Sequence, residues 1–105
     1  MRITISHDRR KAEVIESVDR SFNDMFQGAV GLPVRLVVEK KSWQGSVLIF
    51  ALTAKMGLLS TPIKGTVEVT DHDLTLDVDL GLLNRLVSEK TAGEAIGNRI
   101  KGLLK

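Results

Sequence analysis

The sequence predicts an α+β fold, in which a mostly antiparallel sheet packs with two helices in the order β-α-β-β-β-β-α. Between residues 64 and 80, apolar and polar residues alternate on both sides of a polar turn at 71–73, which is typical of a β-hairpin with one buried face. Residues 9–27, and the residues that follow Gly81, instead repeat apolar positions at helical spacing. Short connections between the later strands favour antiparallel pairing.

Length and cysteine content predict one domain that spans residues 1–105. A chain of 105 residues buries about 65% of its unfolded surface, so its core requires neither a metal nor a disulfide. The sequence contains no cysteine, which excludes disulfides, Cys-ligated metal sites and a thiol nucleophile. We expect no cofactor and no metal.

The distribution of apolar residues argues against export and against a transmembrane segment. The N-terminal residues lack the apolar stretch of a signal peptide. The longest unbroken apolar run covers residues 47–52, whereas a membrane-spanning helix needs about 20 residues. We therefore expect a soluble, cytoplasmic protein.

Charge and aromatic content disfavour a nucleic-acid partner. The formal net charge is only +2, and the aromatic residues are one tryptophan and three phenylalanines. Nucleic-acid-binding domains usually present a basic patch or an aromatic stacking platform, and this sequence predicts neither.

The first half of the chain predicts a strand, a helix and a second strand. Asp8 is the expected N-cap of the helix, and Gly28 its expected C-terminal stop. The expected boundaries are a strand at 2–6, a helix at 9–27, a strand at 34–41 and a turn at 41–45.

The third predicted strand, residues 46–54, is apolar on both faces. Strands covered on both sides show this pattern, so we expect either the second helix or another molecule to cover its second face. A turn at 55–57 follows. Pro62 then lacks a ladder donor, which predicts an edge, a bulge or a loop there.

The C-terminal segment predicts a helix in two parts. A first apolar stripe is followed by Thr91 and, three residues on, Glu94, which fit a capping box. We therefore expect a kink or restart near Thr91. The stripe consists of Leu82, Leu83, Leu86 and Val87.

Three polar side chains are the candidates on which an enzymatic hypothesis depends. Asp77 and Asp79 share one face of a predicted strand, and His72 lies in the turn before it. A carboxylate pair can perform acid–base chemistry, but no nucleophile, second base or phosphate loop accompanies this one. The sequence therefore predicts no catalytic residue, and a small enzyme that uses these groups is the least favoured hypothesis.

The sequence contains more apolar residues than a small two-layer domain needs on its buried side. Beyond core packing, the excess fits a homodimer interface, a groove for a lipid-like ligand, or a surface that docks on a hydrophobic particle. The candidate residues for such an apolar binding surface are Trp43, Met56, Leu58, Leu59, Leu82, Leu83, Leu86 and Val87.

Three segments resemble a bacterial protein family, the polyhydroxyalkanoic acid system proteins. They are ITISH before the first helix, KSWQGSVLIF, and KGTVEVTDHDLTLDVDLGLL before the C-terminal helix. The resemblance covers about residues 2–104 and is strongest at 43–50 and 65–83. The chain is longer than the family pattern at ALTAKMGLLSTPIK.

The resemblance implies a granule-associated or regulatory protein of bacterial storage polyester and brings no catalytic residue with it. The leading hypothesis is accordingly a non-enzymatic protein that acts through apolar surface on a granule, a lipid-like ligand or a protein. The second hypothesis is a homodimeric module with the third strand or the C-terminal helix at its interface.

Overall fold

The computed structural model describes residues 1–26, 34–85 and 88–104 and places five strands and two α-helices in them. The elements are β1 Arg2–Ser6, α1 Lys11–Phe26, β2 Arg35–Gln44, β3 Val47–Met56, β4 Leu59–Val69, β5 Asp73–Asp79, a 3-10 helix Gly81–Arg85, and α2 Glu89–Leu103. The predicted α+β class and element order are confirmed.

The strands form one sheet in the order β1-β5-β4-β3-β2. Every pairing in the sheet is antiparallel. The predicted hairpin is β4 and β5, joined at the turn before Asp73. Because β1 pairs with β5, α1 carries the chain from one edge of the sheet to the other.

Both helices lie on the same face of the sheet. Phe22 of α1 packs its ring against Phe50 of β3, with 5.1 Å between ring centroids. On α2, the Cβ position of Gly97 lies 3.7 Å from Ile3 Cγ2 of β1. The helices also contact each other, since the Arg99 guanidinium donates to the Asp24 carbonyl at 2.6 Å.

This arrangement leaves the outer face of β3 without a helix over it in the described part of the chain. Leu48, Phe50 and Leu52 point toward the helices and are buried, whereas the alternate residues Ile49 and Ala51 are half-buried on the outer face. Of the two covers expected for this face, the second helix is excluded, because α2 packs beside α1 rather than across the sheet.

The core under α1 is an aromatic cluster that packs against a glycine of the sheet. Phe22, Phe26 and Phe50 lie with ring centroids 5.1–5.3 Å apart in tilted and edge-to-face geometries, which aromatic pairs prefer. Gly65 pairs with Phe50 across β3 and β4. A Cβ at Gly65 would lie 2.6 Å from Phe50 Cζ, so glycine provides the space that the ring fills.

The predicted turn at 41–45 is wrong, because β2 continues to Gln44 and the turn begins at Gly45, with φ of 62°. Because of a bulge between Val38 and Lys40, the side chain of Lys40 lies on the outer face and that of Lys41 lies on the face toward α1. Residues 41–44 are therefore strand residues, and Lys41 donates to the Asp19 carbonyl at 2.7 Å.

Both predicted helix N-caps are wrong. Helix α1 begins at Lys11, so the residue that precedes it is Arg10 and not Asp8. The Arg10 carbonyl accepts the first helical hydrogen bond, from the Val14 amide at 3.1 Å. The C-terminal segment does restart as predicted, but at Ser88, whose hydroxyl accepts from the Thr91 amide at 3.5 Å. The predicted stop at Gly28 lies outside the described residues.

Pro62 lies in a stretch of β4 that pairs on one side only, as predicted for an edge. The Val69 amide donates to the Ser46 carbonyl of the preceding turn, so the odd residues of β4 direct their backbone groups toward β3. The backbone nitrogen of Pro62 is directed to the opposite side, toward β5, but Pro62 lies beyond the last residue of β4 that pairs with β5, which is Lys64. Its missing N–H therefore costs no bond in the ladder.

Candidate functional site

The end of the β3–β4 hairpin exposes large apolar side chains. Gly57, with φ of 60°, opens a two-residue turn and adopts the left-handed backbone that glycine tolerates best. The next residue, Leu58, is fully exposed, and Leu59 is 60% exposed. Met56 pairs with Leu59 and is half-buried on the helix side of the sheet.

Leu82 joins this end of the molecule from the 3-10 helix. Its amide donates to the Thr61 hydroxyl of β4 at 3.1 Å, and its side chain is 54% exposed. Thr61 pairs with Ala54, and Ala54 is two residues, or roughly 7 Å of strand, from Met56 at the end of the hairpin. Leu82 therefore lies near the same end of the sheet as Leu58 and Leu59. We call Leu58, Leu59 and Leu82 the apolar tip.

Trp43 lies far from the apolar tip. It pairs with Leu48 of β3, which is eight residues, or roughly 26 Å of strand, from Met56. It is half-buried against the core, and its indole N–H donates to Asp19 Oδ1 at 2.9 Å. The structure therefore does not bring Trp43 together with the exposed leucines.

The remaining predicted apolar residues belong to the connection before α2. Leu86 and Val87 lie outside the described residues, and so does the side chain of Leu83. Their place in an apolar surface stays a prediction.

The hydrogen bond between the Trp43 indole and the Asp19 carboxylate predicts that the stability of the fold depends on pH. The indole N–H of Trp43, together with the ammonium of Lys41, lowers the pKa of the Asp19 carboxyl. A carboxyl whose folded pKa is depressed stabilises the fold above its unfolded pKa, which is about 3.9, and loses that contribution as the pH falls through the folded pKa. The contribution is small because Asp19 is half exposed.

We expect the unfolding free energy of Asp19→Asn to fall below that of the unmodified protein at pH 6 and to approach it at pH 2.5. Urea unfolding of both proteins at each pH measures this difference. A difference that stays constant from pH 6 to pH 2.5 would show that the charge on Asp19 contributes nothing.

His72, Asp77 and Asp79 do not converge. Asp77 and Asp79 are exposed on the outer face of β5, where they lie opposite Thr66 and Lys64 of β4. His72 is exposed in the turn at the other end of β5, seven residues or roughly 23 Å from Asp79. The described residues contain no cluster of three or more His, Cys, Asp or Glu able to hold a metal.

Two functional candidates were missed by reasoning on the sequence. Arg35 of β2 and Lys55 of β3 lie directly opposite each other beside the apolar tip, and both are exposed. They are twenty residues apart in the chain, and only the strand register reveals that they are neighbours.

Comparison with models of protein families, with curated proteins and with solved structures finds no match. In the described ranges, neither helix has the length and apolar composition required to cross a membrane.

Proposed function

We propose that this chain is a non-enzymatic protein of the polyhydroxyalkanoic acid system type, which docks through the apolar tip on the hydrophobic surface of a storage-polyester granule. The observation that supports it is the position of the exposed leucines. The large hydrophobic side chains exposed in the described residues are Val38, Leu58, Leu59 and Leu82, and three of these four form the apolar tip.

The tip fits a broad surface better than an enclosed ligand. Leu58 projects from a two-residue turn at the end of two long strands, so it can enter a soft apolar phase without a change in the fold. Fully burying one leucine side chain contributes about 1.5–3 kcal/mol. One fully exposed leucine and two that are partly exposed thus contribute roughly 3–6 kcal/mol before the cost of association, which corresponds to weak, reversible docking.

We expect the double substitution Leu58→Asp and Leu59→Asp to abolish binding to polyester particles, because two carboxylates would have to leave water. The fold should remain intact, since both side chains are exposed. Cosedimentation with purified poly(3-hydroxybutyrate) particles measures binding, and circular dichroism with thermal unfolding checks the fold.

The matched control adds two carboxylates elsewhere, as Thr91→Asp and Asn98→Asp, at exposed positions of α2. This control should bind like the unmodified protein. If the tip variant also binds unchanged, the apolar tip has no part in docking and the proposal fails.

A second candidate function is a homodimeric structural module. The outer face of β3 favours it, since Val47, Ile49 and Ala51 lie there in a row with no helix above them in the described part of the chain. Solution mass across a concentration series distinguishes the two candidates. A mass that stays monomeric assigns this face to solvent, and a dimer assigns it to self-association.

A further inference from the structure

Resting on the proposed function, we infer that the granule surface on which the apolar tip docks carries anionic phospholipid. The inference comes from two cations at the base of the tip, Arg35 and Lys55, which we call the cationic pair. It names the chemistry of the partner, which the exposed leucines alone do not.

The sheet register places the cationic pair directly beside the apolar turn. Arg35 pairs with Lys55, and the next residue of β3, Met56, pairs with Leu59. The two cations therefore lie on the outer face one residue before the turn. Their Cβ atoms are about 5 Å apart, as in any directly opposed antiparallel pair.

This placement is unfavourable in the isolated protein. Like charges directly opposite on neighbouring strands destabilise a sheet. Among the residues that the structure describes, neither cation lies within 4.0 Å of a carboxylate. A negatively charged partner would remove the repulsion.

Carboxylates are also absent from this end of β2, β3 and β4, all of which are described. The first one along β2 is Glu39, four residues or roughly 13 Å beyond Arg35, and it accepts from the Thr53 hydroxyl. β3 contains no acidic residue, and β4 contains none before Glu68. At this end the three strands therefore contribute cations only, and the nearest carboxylate to Leu82 in sequence is Asp79, which accepts from the Gly81 amide.

The distances suit a bilayer surface. Lys55 precedes Leu58 by three residues, which is at most about 10 Å along the strand. Apolar elements that bind at a membrane surface insert about 5–10 Å, to the boundary between headgroups and acyl chains. When Leu58 reaches that boundary, the cationic pair lies among the headgroups, with the lysine stem covering apolar surface.

Vesicle cosedimentation tests the inference. The probes are vesicles of phosphatidylcholine alone and vesicles of phosphatidylcholine mixed with phosphatidylglycerol. Each cation near an anionic membrane is worth roughly a fivefold change in binding. We expect Arg35→Gln with Lys55→Gln to weaken binding about thirtyfold on the anionic vesicles and to leave binding to the neutral ones unchanged.

A matched control removes two cations from α2, as Lys90→Gln and Lys101→Gln, both exposed and away from the tip. It should bind the anionic vesicles as the unmodified protein does. Raising the salt concentration should weaken binding of the unmodified protein and narrow its difference from the variant without the cationic pair.

Two results would overturn the inference. The first is equal binding of the unmodified protein to neutral and anionic vesicles, or binding to neither. The second is unchanged binding of the variant that lacks the cationic pair. The particle experiment with the leucine variant is independent of both, so the polyester proposal can survive this failure. Thermal unfolding provides a further check, because removing the cationic pair should leave stability equal or higher.

Discussion

Replacing Gly65 with valine is expected to destabilise the protein by about 3 kcal/mol, at the upper end of the range for overpacked cores. A Cβ at this position would lie 2.6 Å from Phe50 Cζ and 2.6 Å from the backbone oxygen of Asp77. The ring can move only by disturbing the aromatic cluster. The carbonyl belongs to the paired strand β5, so it cannot rotate away.

Urea unfolding of Gly65→Val measures this cost, and Thr66→Val is the control. Thr66 is the next residue of β4, but it is half-buried on the outer face, so its substitution should change the unfolding free energy by less than about 0.5 kcal/mol. Adding Phe50→Leu to Gly65→Val should recover part of the loss. If it recovers none, the carbonyl contact alone causes the destabilisation.

Replacing Phe22 with alanine is the second large effect, with an expected loss of about 3–5 kcal/mol. Phe22 is 2% exposed and forms edge-to-face pairs with Phe26 and Phe50. Its ring also lies 5.4 Å below the Lys41 ammonium. Truncation therefore leaves a cavity between α1 and the sheet and removes two of the three ring–ring contacts in the cluster.

The total stability of a domain is about 5–15 kcal/mol, so this loss is a large part of it. Asn23→Ala is the control, because Asn23 is the exposed neighbour of Phe22 on α1. Chemical denaturation should show almost no change for the control. A loss below about 1 kcal/mol for Phe22→Ala would mean that the aromatic cluster can repack around an alanine.

Local signals in the sequence predict the elements of this fold well. The hairpin of β4 and β5 follows from strict alternation, because one face of each strand is covered by the helices and the other is not. The end of β2 could not be predicted in the same way. Lys41 reads as a turn residue, but it reaches α1 from within a strand, and that contact is not local in the sequence.

The face on which each helix lies was also beyond local reasoning. The run in β3 is apolar on both faces, so alternation cannot distinguish the covered face from the open one. The choice depends on α1 and α2 packing against each other, through contacts such as that between Arg99 and the Asp24 carbonyl. Residues 75 positions apart make that contact.

In the candidate site too, the residues that local sequence could identify differ from those that only the strand register reveals. Leu58 and Leu59 were predicted as part of an apolar binding surface, and both side chains are exposed. Trp43 was grouped with them because it was placed at a turn, and the structure separates it. Arg35 and Lys55 could not be found, because a one-residue change in register would move them apart.

Pro62 bears on how an exposed apolar end avoids self-aggregation. An unpaired strand edge beside leucine side chains is a template to which the strand of another chain can add. In the one-sided stretch of β4, Pro62 is one of the residues that face away from β3, and it has no N–H to offer. The segment at Gly81 also packs against this edge, since a Cβ at Gly81 would lie 2.7 Å from the Pro62 carbonyl oxygen. An added strand would therefore find neither a donor nor an open acceptor at Pro62. The leucines can meet a surface without recruiting a second sheet.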